Sequence, residues 1–140
     1  MTGDRLGNPQ RRRLLLDSRD EPWSVPERRF HRLLRDAGIT GWRANLPVRI
    51  GDARCYLDVA FELVLLAIEI DGRLYHSAPE AFELDRRRQN LLVLNGWHVL
   101  RFTWRMIEEH PDQVIVAVRD ALEMLSNRTI SLQTRASDQW

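Results

Sequence analysis

Acidic residues stand inside strand-like sequence at two places, and this constrains the fold more than any other feature. Residues 57–61 are Leu-Asp-Val-Ala-Phe and residues 68–71 are Ile-Glu-Ile-Asp. Strands are depleted of Asp, and a carboxylate there costs stability unless a metal, a proton or a cation meets it. Because side chains alternate across a strand, Glu69 and Asp71 share one face and the neighbouring apolar residues take the other. If Asp58 lies beside them, the acids form a divalent-cation site.

Length and composition narrow the class of protein. The 140 residues fit one domain, and the single cysteine, Cys55, excludes an internal disulfide and a cysteine-rich zinc site. Signal-peptide features and long apolar runs are absent from the sequence, so we expect a cytoplasmic protein with no membrane association.

All 21 basic residues are arginine, which excludes any lysine-dependent mechanism. Arginine suits phosphate and favours a nucleic-acid partner, although a GC-rich coding sequence also produces an arginine-rich chain. Because the net charge is only +1, DNA binding would need a local basic face.

Apolar spacing and turn signals predict the order helix, three strands, helix, strand, helix. A capping box at 24–27 opens a helix over about 25–37, and a second capping box at 77–80 opens a helix that ends at Asn95-Gly96. Between them we expect an antiparallel meander of three strands, with a turn at Gly51-Asp52. A strand over 97–104 and a helix from Pro111 follow.

These elements divide the chain into three parts. We predict a mobile arm, or the remnant of a preceding domain, at 1–23, a core domain at 24–126 and a polar, frayed tail at 127–140.

The element order, with Asp58 on the second strand and Glu69-x-Asp71 on the third, resembles the PD-(D/E)xK nuclease superfamily. More narrowly, the chain resembles the uncharacterised domain family related to very-short-patch-repair (Vsr) endonucleases. The matching motifs are Leu57-Asp58, residues 67–72, His76, Asp85-x-x-Arg88-x-Asn90 and residues 96–102. The resemblance implies an α/β, restriction-endonuclease-like core of order α-β-β-β-α-β-α, with a mixed sheet flanked by helices.

The same resemblance implies a function, a divalent-metal-dependent DNA endonuclease-like domain that hydrolyses phosphodiester bonds. Similar domains occur at the C-terminal end of longer proteins resembling AbiEi-type antitoxin regulators. Two alternatives therefore stay open: a non-catalytic DNA-binding or regulatory module that retains the nuclease fold, and a truncated product of a longer gene.

The resemblance also assigns candidate metal ligands. Asp58 and Glu69 are expected to hold Mg²⁺ or Mn²⁺, since these hard cations prefer oxygen donors. The alternative is that both acids pair with arginines in a structural network. Glu27 is similar to the first-helix glutamate that many superfamily members place near the metal, although capping alone also explains it.

Asp71 and His76 complete the expected catalytic set with Asp58 and Glu69. Asp71 stands where the superfamily pattern usually has lysine, and it is expected to assist. Vsr-type enzymes are similar in relying on histidine, so His76 is the candidate acid or base. The alternative is a histidine that only packs or bonds locally.

Four arginines are candidate nucleic-acid contacts. Arg88 and Arg101 would hold phosphate or else pair with the acids, and Asp85 is expected to pair structurally, within reach of Arg88. Arg86 and Arg87 would follow a DNA backbone or else form a solvated helix face. A double-strand cut would need a dimer. The sequence has no coiled-coil heptad pattern that would indicate one, so the oligomeric state stays open.

Overall fold

The structure is a computed structural model that describes residues 25–71 and 79–137, apart from the side chains of Ala81 and Phe82. The helices are α1 (Val25–Asp36), α2 (Pro79–Leu94), α3 (Trp104–Glu109) and α4 (Pro111–Ser137). The strands are β1 (Arg43–Ile50), β2 (Ala53–Phe61), β3 (Leu66–Asp71) and β4 (His98–Thr103).

The strands form one mixed sheet in the order β1-β2-β3-β4. Strands β1, β2 and β3 make an antiparallel meander, whereas β3 and β4 run parallel because α2 crosses between them. This confirms the predicted α/β architecture and the meander. Two short elements were not predicted: α3, and a 3₁₀ turn at Glu62–Val64 that joins β2 to β3 without a glycine or proline.

Helices cover both faces of the sheet. On one face, Phe30 and Leu34 of α1 and Val118 of α4 pack against Ile68 and Phe102 in the larger core cluster. On the other face, Leu92 of α2 packs in a smaller cluster with strand residues that include Leu57, Ala60 and Ala67. The larger cluster uses three helices and therefore carries most of the apolar burial.

Strand β2 changes face at Asp58. Leu57 belongs to the α2-side cluster and Val59 to the α1-side cluster, although residues two apart in a regular strand share a face. The β1–β2 pairing continues on either side of Asn45 and Asp58 but skips these two residues. Asn45 has a φ of 53°, in the left-handed region that Asn enters more readily than most residues. The irregularity therefore spans both strands and centres on a candidate site residue.

Helix α4 continues to Ser137, through the stretch for which the sequence predicts a polar, frayed tail. Residues 126–137 are all exposed, and their fraying stays a prediction. The stretch contains neither glycine nor proline, the residues that most often end a helix. Its hydroxyl groups bond the preceding turn, as in the 3.0 Å contact from Thr129 Oγ1 to the Leu125 carbonyl. Within the described ranges, neither α4 nor any other helix is long and apolar enough to span a membrane.

Candidate functional site

Asp58 and Glu69 meet where strands β2 and β3 part. The backbone pairing of the two strands ends at Val59 and Ile68. At the next position the Asp58 backbone N–H donates to Glu69 Oε2 at 3.1 Å, and the Ile70 N–H donates to Asp58 Oδ2 at 2.8 Å. Each carboxylate thus satisfies a backbone donor of the opposite strand, where a regular ladder would use a carbonyl. The acids are tolerated in the sheet because they replace its missing hydrogen bonds.

The surroundings of Asp58 disfavour the ionised form of its carboxyl group. Burial, the Glu69 carboxylate and the Glu27 carboxylate raise the pKa of Asp58 well above its usual range, in that order of importance. The Ile70 hydrogen bond and Arg88 act in the opposite direction but do not cancel the rise. Glu27, in the first turn of α1, therefore belongs electrostatically to the same site. The site concentrates carboxylates, and added positive charge would stabilise it.

Arg88 of α2 supplies the nearest positive charge. Its guanidinium makes a direct ion pair with Glu69, which is only 5% exposed, and donates to the Tyr56 carbonyl at 2.9 Å. Burial alone would lower the pKa of Arg88, but Glu69 raises it overall. The pairing of Glu69 with an arginine matches the structural alternative considered from the sequence.

A second cluster of polar side chains surrounds Arg101 of β4. The parallel register places Arg101 beside Glu69, and its guanidinium lies 2.7 Å from Asp71 Oδ1 and 3.2 Å from Asp85 Oδ2. Gln89 Oε1 accepts a further hydrogen bond at 2.9 Å. Burial alone would lower the pKa of Arg101, but the hydrogen bond to Asp71 and the nearby carboxylates raise it overall. Asp85 therefore pairs with Arg101, whereas the sequence placed it within reach of Arg88.

The structure brings most of the predicted site residues to one end of the sheet. Around Asp58 lie Glu27, Glu69 and Arg88, and beside them lie Asp71 and Arg101. Gln89 was not predicted, although its position four residues after Asp85 places both on one side of α2.

Two of the remaining predicted residues, Arg86 and Arg87, are exposed on α2. Arg87 pairs with Glu83 at 3.9 Å on the exposed side of α2, and Arg86 is also exposed. His76 lies outside the described residues.

Asp58 and Glu69 form a carboxylate pair, not a larger donor set. Within 25–71 and 79–137, no group of three or more His, Cys, Asp or Glu residues has an arrangement that could hold a metal ion. A pair is nonetheless chemically sufficient for Mg²⁺, which proteins usually hold through one or two carboxylates while it keeps several waters. The donor chemistry therefore fits a hard divalent cation.

Comparisons with known proteins agree with this fold. The homing endonuclease I-Bth0305I catalytic domain, a solved structure, superposes with a TM-score of 0.50 at 19% sequence identity, covering 74% of this chain and 94% of that one. Among curated proteins, none matches the chain. The family model REase_MTES_1575 matches residues 27–122, a span that holds Glu27, Asp58, Glu69, Arg88 and Arg101. The chain is therefore a restriction-endonuclease-like domain and belongs to the REase_MTES_1575 family.

Proposed function

We propose that this domain is a divalent-metal-dependent DNA endonuclease that hydrolyses phosphodiester bonds. The observation that carries the proposal is the facing pair Asp58 and Glu69, half-buried and buried respectively, at the point where two strands part. A sheet tolerates such a pair at a cost in stability, and a local rule broken in this way is most often a functional site. The nuclease fold and the family assignment support the same chemistry.

Asp58 and Glu69 would hold Mg²⁺ or Mn²⁺, and Glu27 of α1 would contribute negative charge to the site without completing a donor set of three. When bound, such an ion acidifies a coordinated water and offsets the charge that develops on the phosphate under attack. The neighbouring carboxylates that raise the pKa of Asp58 are the physical reason for the site to take up a cation.

Arg88 is proposed to orient the scissile phosphate. A guanidinium has five N–H donors, and Arg88 contacts Glu69, the Tyr56 carbonyl and the Cys55 side chain. A cation bound to Glu69 would weaken the ion pair between Glu69 and Arg88. N–H groups of the Arg88 guanidinium could then donate to a phosphate oxygen. Arg101 fixes Asp71 next to the site, where Asp71 would assist by accepting a hydrogen bond.

His76 is proposed to transfer the proton, because it lies in the segment between β3 and α2, near the acidic residues in sequence. The Asp58 and Glu69-x-Asp71 arrangement also supports the narrower placement among PD-(D/E)xK enzymes of the Vsr type.

A non-catalytic DNA-binding or regulatory module is the second candidate. It is favoured by the ion pairs themselves, because Glu69 and Asp71 already have arginine partners that complete a purely structural network. The absence of lysine from the chain also favours it, since the usual superfamily motif includes one.

Cleavage assays test the proposal. Labelled duplex, mismatched and branched DNA would be incubated with Mg²⁺ or Mn²⁺ and wild-type protein, Asp58→Asn or Glu69→Gln, with the exposed Glu123→Gln as the matched control. We expect metal-dependent cutting that both site variants abolish and the control retains. Folded wild-type protein that cuts no substrate and shows no metal binding by calorimetry would favour the regulatory module.

A further inference from the structure

An arginine-rich groove runs along the outer side of α1, separate from the carboxylate pair. It encloses about 440 Å³ between α1 and the start of β1. Its principal lining residues are Arg28, Arg29, Arg32, Arg35, His31 and Trp42. We call this surface the α1 groove.

The helix is built to present these arginines away from the core. Phe30 and Leu34 are fully buried against the sheet. Arg28, Arg32 and Arg35 recur at i, i+4 and i+7, which places them on one side of the helix. The amphipathic pattern of α1 therefore opposes an apolar face to an arginine face.

The positive charge in the α1 groove is only partly neutralised. Arg29 forms an ion pair with Glu108 at 3.3 Å. Arg32 and Arg35 are exposed, and neither makes an ion pair with a carboxylate belonging to residues 25–71 or 79–137. Two neighbouring exposed guanidinium groups repel each other, so an anionic ligand would stabilise the pair.

An aromatic wall closes one side of the α1 groove. Trp42 is half-buried, and its ring centroid lies 5.2 Å from that of His31 at an interplanar angle of 30°. The indole N–H donates to the Ile39 carbonyl at 3.0 Å, which fixes the ring. A fixed aromatic ring beside guanidinium groups offers an apolar surface that can pack against a deoxyribose while the guanidinium groups bind the adjoining phosphates.

We propose that the α1 groove binds the phosphate backbone of one DNA strand as it leaves the carboxylate site. Glu27, which raises the pKa of Asp58, immediately precedes Arg28, so the arginine face starts at the edge of that site. From Arg28 to Arg35 the helix rises about 10 Å, and one strand of a duplex carries about three phosphates over that length of the DNA axis. This inference rests on the proposed nuclease function and adds the residues that position the substrate.

DNA binding without cleavage tests the inference. Anisotropy of a fluorescein-labelled duplex would be measured in EDTA with wild-type protein, Arg32→Gln/Arg35→Gln and the control Arg128→Gln/Arg135→Gln, whose arginines lie on the exposed end of α4. The charge change is equal in the two variants. We expect Kd to rise on the order of tenfold for the α1 variant and the slope of log Kd against log salt to fall by about two. The control should stay within about twofold of wild type.

A third variant separates charge from shape. Arg32→Lys/Arg35→Lys keeps both charges and should retain most of the affinity, because an exposed phosphate contact depends chiefly on charge. Urea unfolding of each variant would verify that the fold is intact.

The outcomes distinguish this inference from the proposed function. Wild-type protein that binds and cuts DNA, with the α1 variant indistinguishable from the α4 control, would overturn the α1 groove and leave the nuclease standing. Wild-type protein that binds no DNA in EDTA would overturn the α1 groove, whereas the nuclease proposal is decided separately by the metal-dependent cleavage assay.

Discussion

The two faces of the sheet differ in what holds them to their helices. The face under α1, α3 and α4 is packed with apolar side chains, including Phe30, Ile68 and Ile107. The face under α2 combines a small apolar cluster with the ion pairs of Arg88 and Arg101. Apolar burial is the larger and less directional source of stability, whereas ion pairs break even at best against desolvation.

The difference indicates that the two faces of the sheet have different roles. The apolar face can stabilise the fold without contributing chemistry, so the α2 face can carry the charged residues to which we assign the proposed function. Variants on each face should therefore fail in different ways, and the contrast can be tested from the largest expected effect to the smallest.

Phe30→Ala should give the largest loss of stability. Phe30 is fully buried, and its ring lies 6.0 Å from that of Phe102. Removing a buried aromatic ring typically lowers the free energy of unfolding by about 3–5 kcal/mol. Urea denaturation followed by circular dichroism would measure it, with Leu132→Ala, at 63% exposed, as a control that should change by less than about 0.5 kcal/mol. A small change in the free energy of unfolding for Phe30→Ala would contradict the view that the apolar face is the main source of stability.

Arg88→Gln should cost less, about 2–3 kcal/mol, because it leaves Glu69 without its charge partner but Arg88 is itself 27% exposed. The double variant Glu69→Gln/Arg88→Gln should be more stable than the sum of the single changes by about 1–3 kcal/mol. A double-mutant cycle in urea measures this coupling. Strict additivity would mean that the ion pair contributes nothing to the α2 face.

Asn45→Val tests the change of face in β1 and β2. A β-branched side chain is disfavoured at the positive φ of Asn45, so we expect a loss of about 1–2 kcal/mol. Asn45→Gly should stay within about 0.5 kcal/mol, since glycine adopts this conformation without a steric cost. Asn45 is exposed, so neither change removes core packing. Equal stability of the two variants would show that the left-handed conformation is unimportant.

The pH dependence at Asp58 tests the charge balance of the α2 face through its direction. Because the pKa of Asp58 is raised in the folded protein, the folded state binds more protons than the unfolded state from about pH 4 up to that raised value. The Asp58 contribution to the free energy of unfolding therefore falls as pH rises through this window. Asp58→Asn should have the flatter profile when both proteins are unfolded by urea in EDTA. A steeper fall in the variant would contradict the assigned direction.

Alternation along β3 was predictable from the sequence because it needs only a regular strand. Ile68 packs in the larger cluster and Ala67 in the smaller, as a period of two requires. The meander was predictable because its three strands follow one another closely in sequence, with a turn signal at Gly51-Asp52. The position of Asp58 opposite Glu69 follows from the pairing of these strands.

The sequence offered Arg88 and Arg101 as partners of the acids, but it did not determine which arginine pairs with which acid. Whether Glu69 or Asp71 takes Arg88 depends on how α2 lies across the sheet, and neither periodicity nor spacing determines that placement. The left-handed conformation of Asn45 had only a weak signal, since Asn is depleted in strands and enriched at positive φ but one such residue does not determine the backbone conformation. The arginine face of α1 did have a signal, its i, i+4, i+7 spacing, but the signal was weak in a chain that is rich in arginine throughout.

Helix α4 is continuous in shape but has two different sources of stability. Up to Leu125 it is anchored by buried residues such as Val114 and Val118, whereas residues 126–137 have only the helix's own hydrogen bonds. Isolated helices shorter than about 12–15 residues are marginal in water. Its amide hydrogens should therefore exchange with deuterium quickly after Ser126 and slowly before it. The last part of α4, a length of about 18 Å, is thus a segment whose order depends on its surroundings while the domain beneath it stays folded.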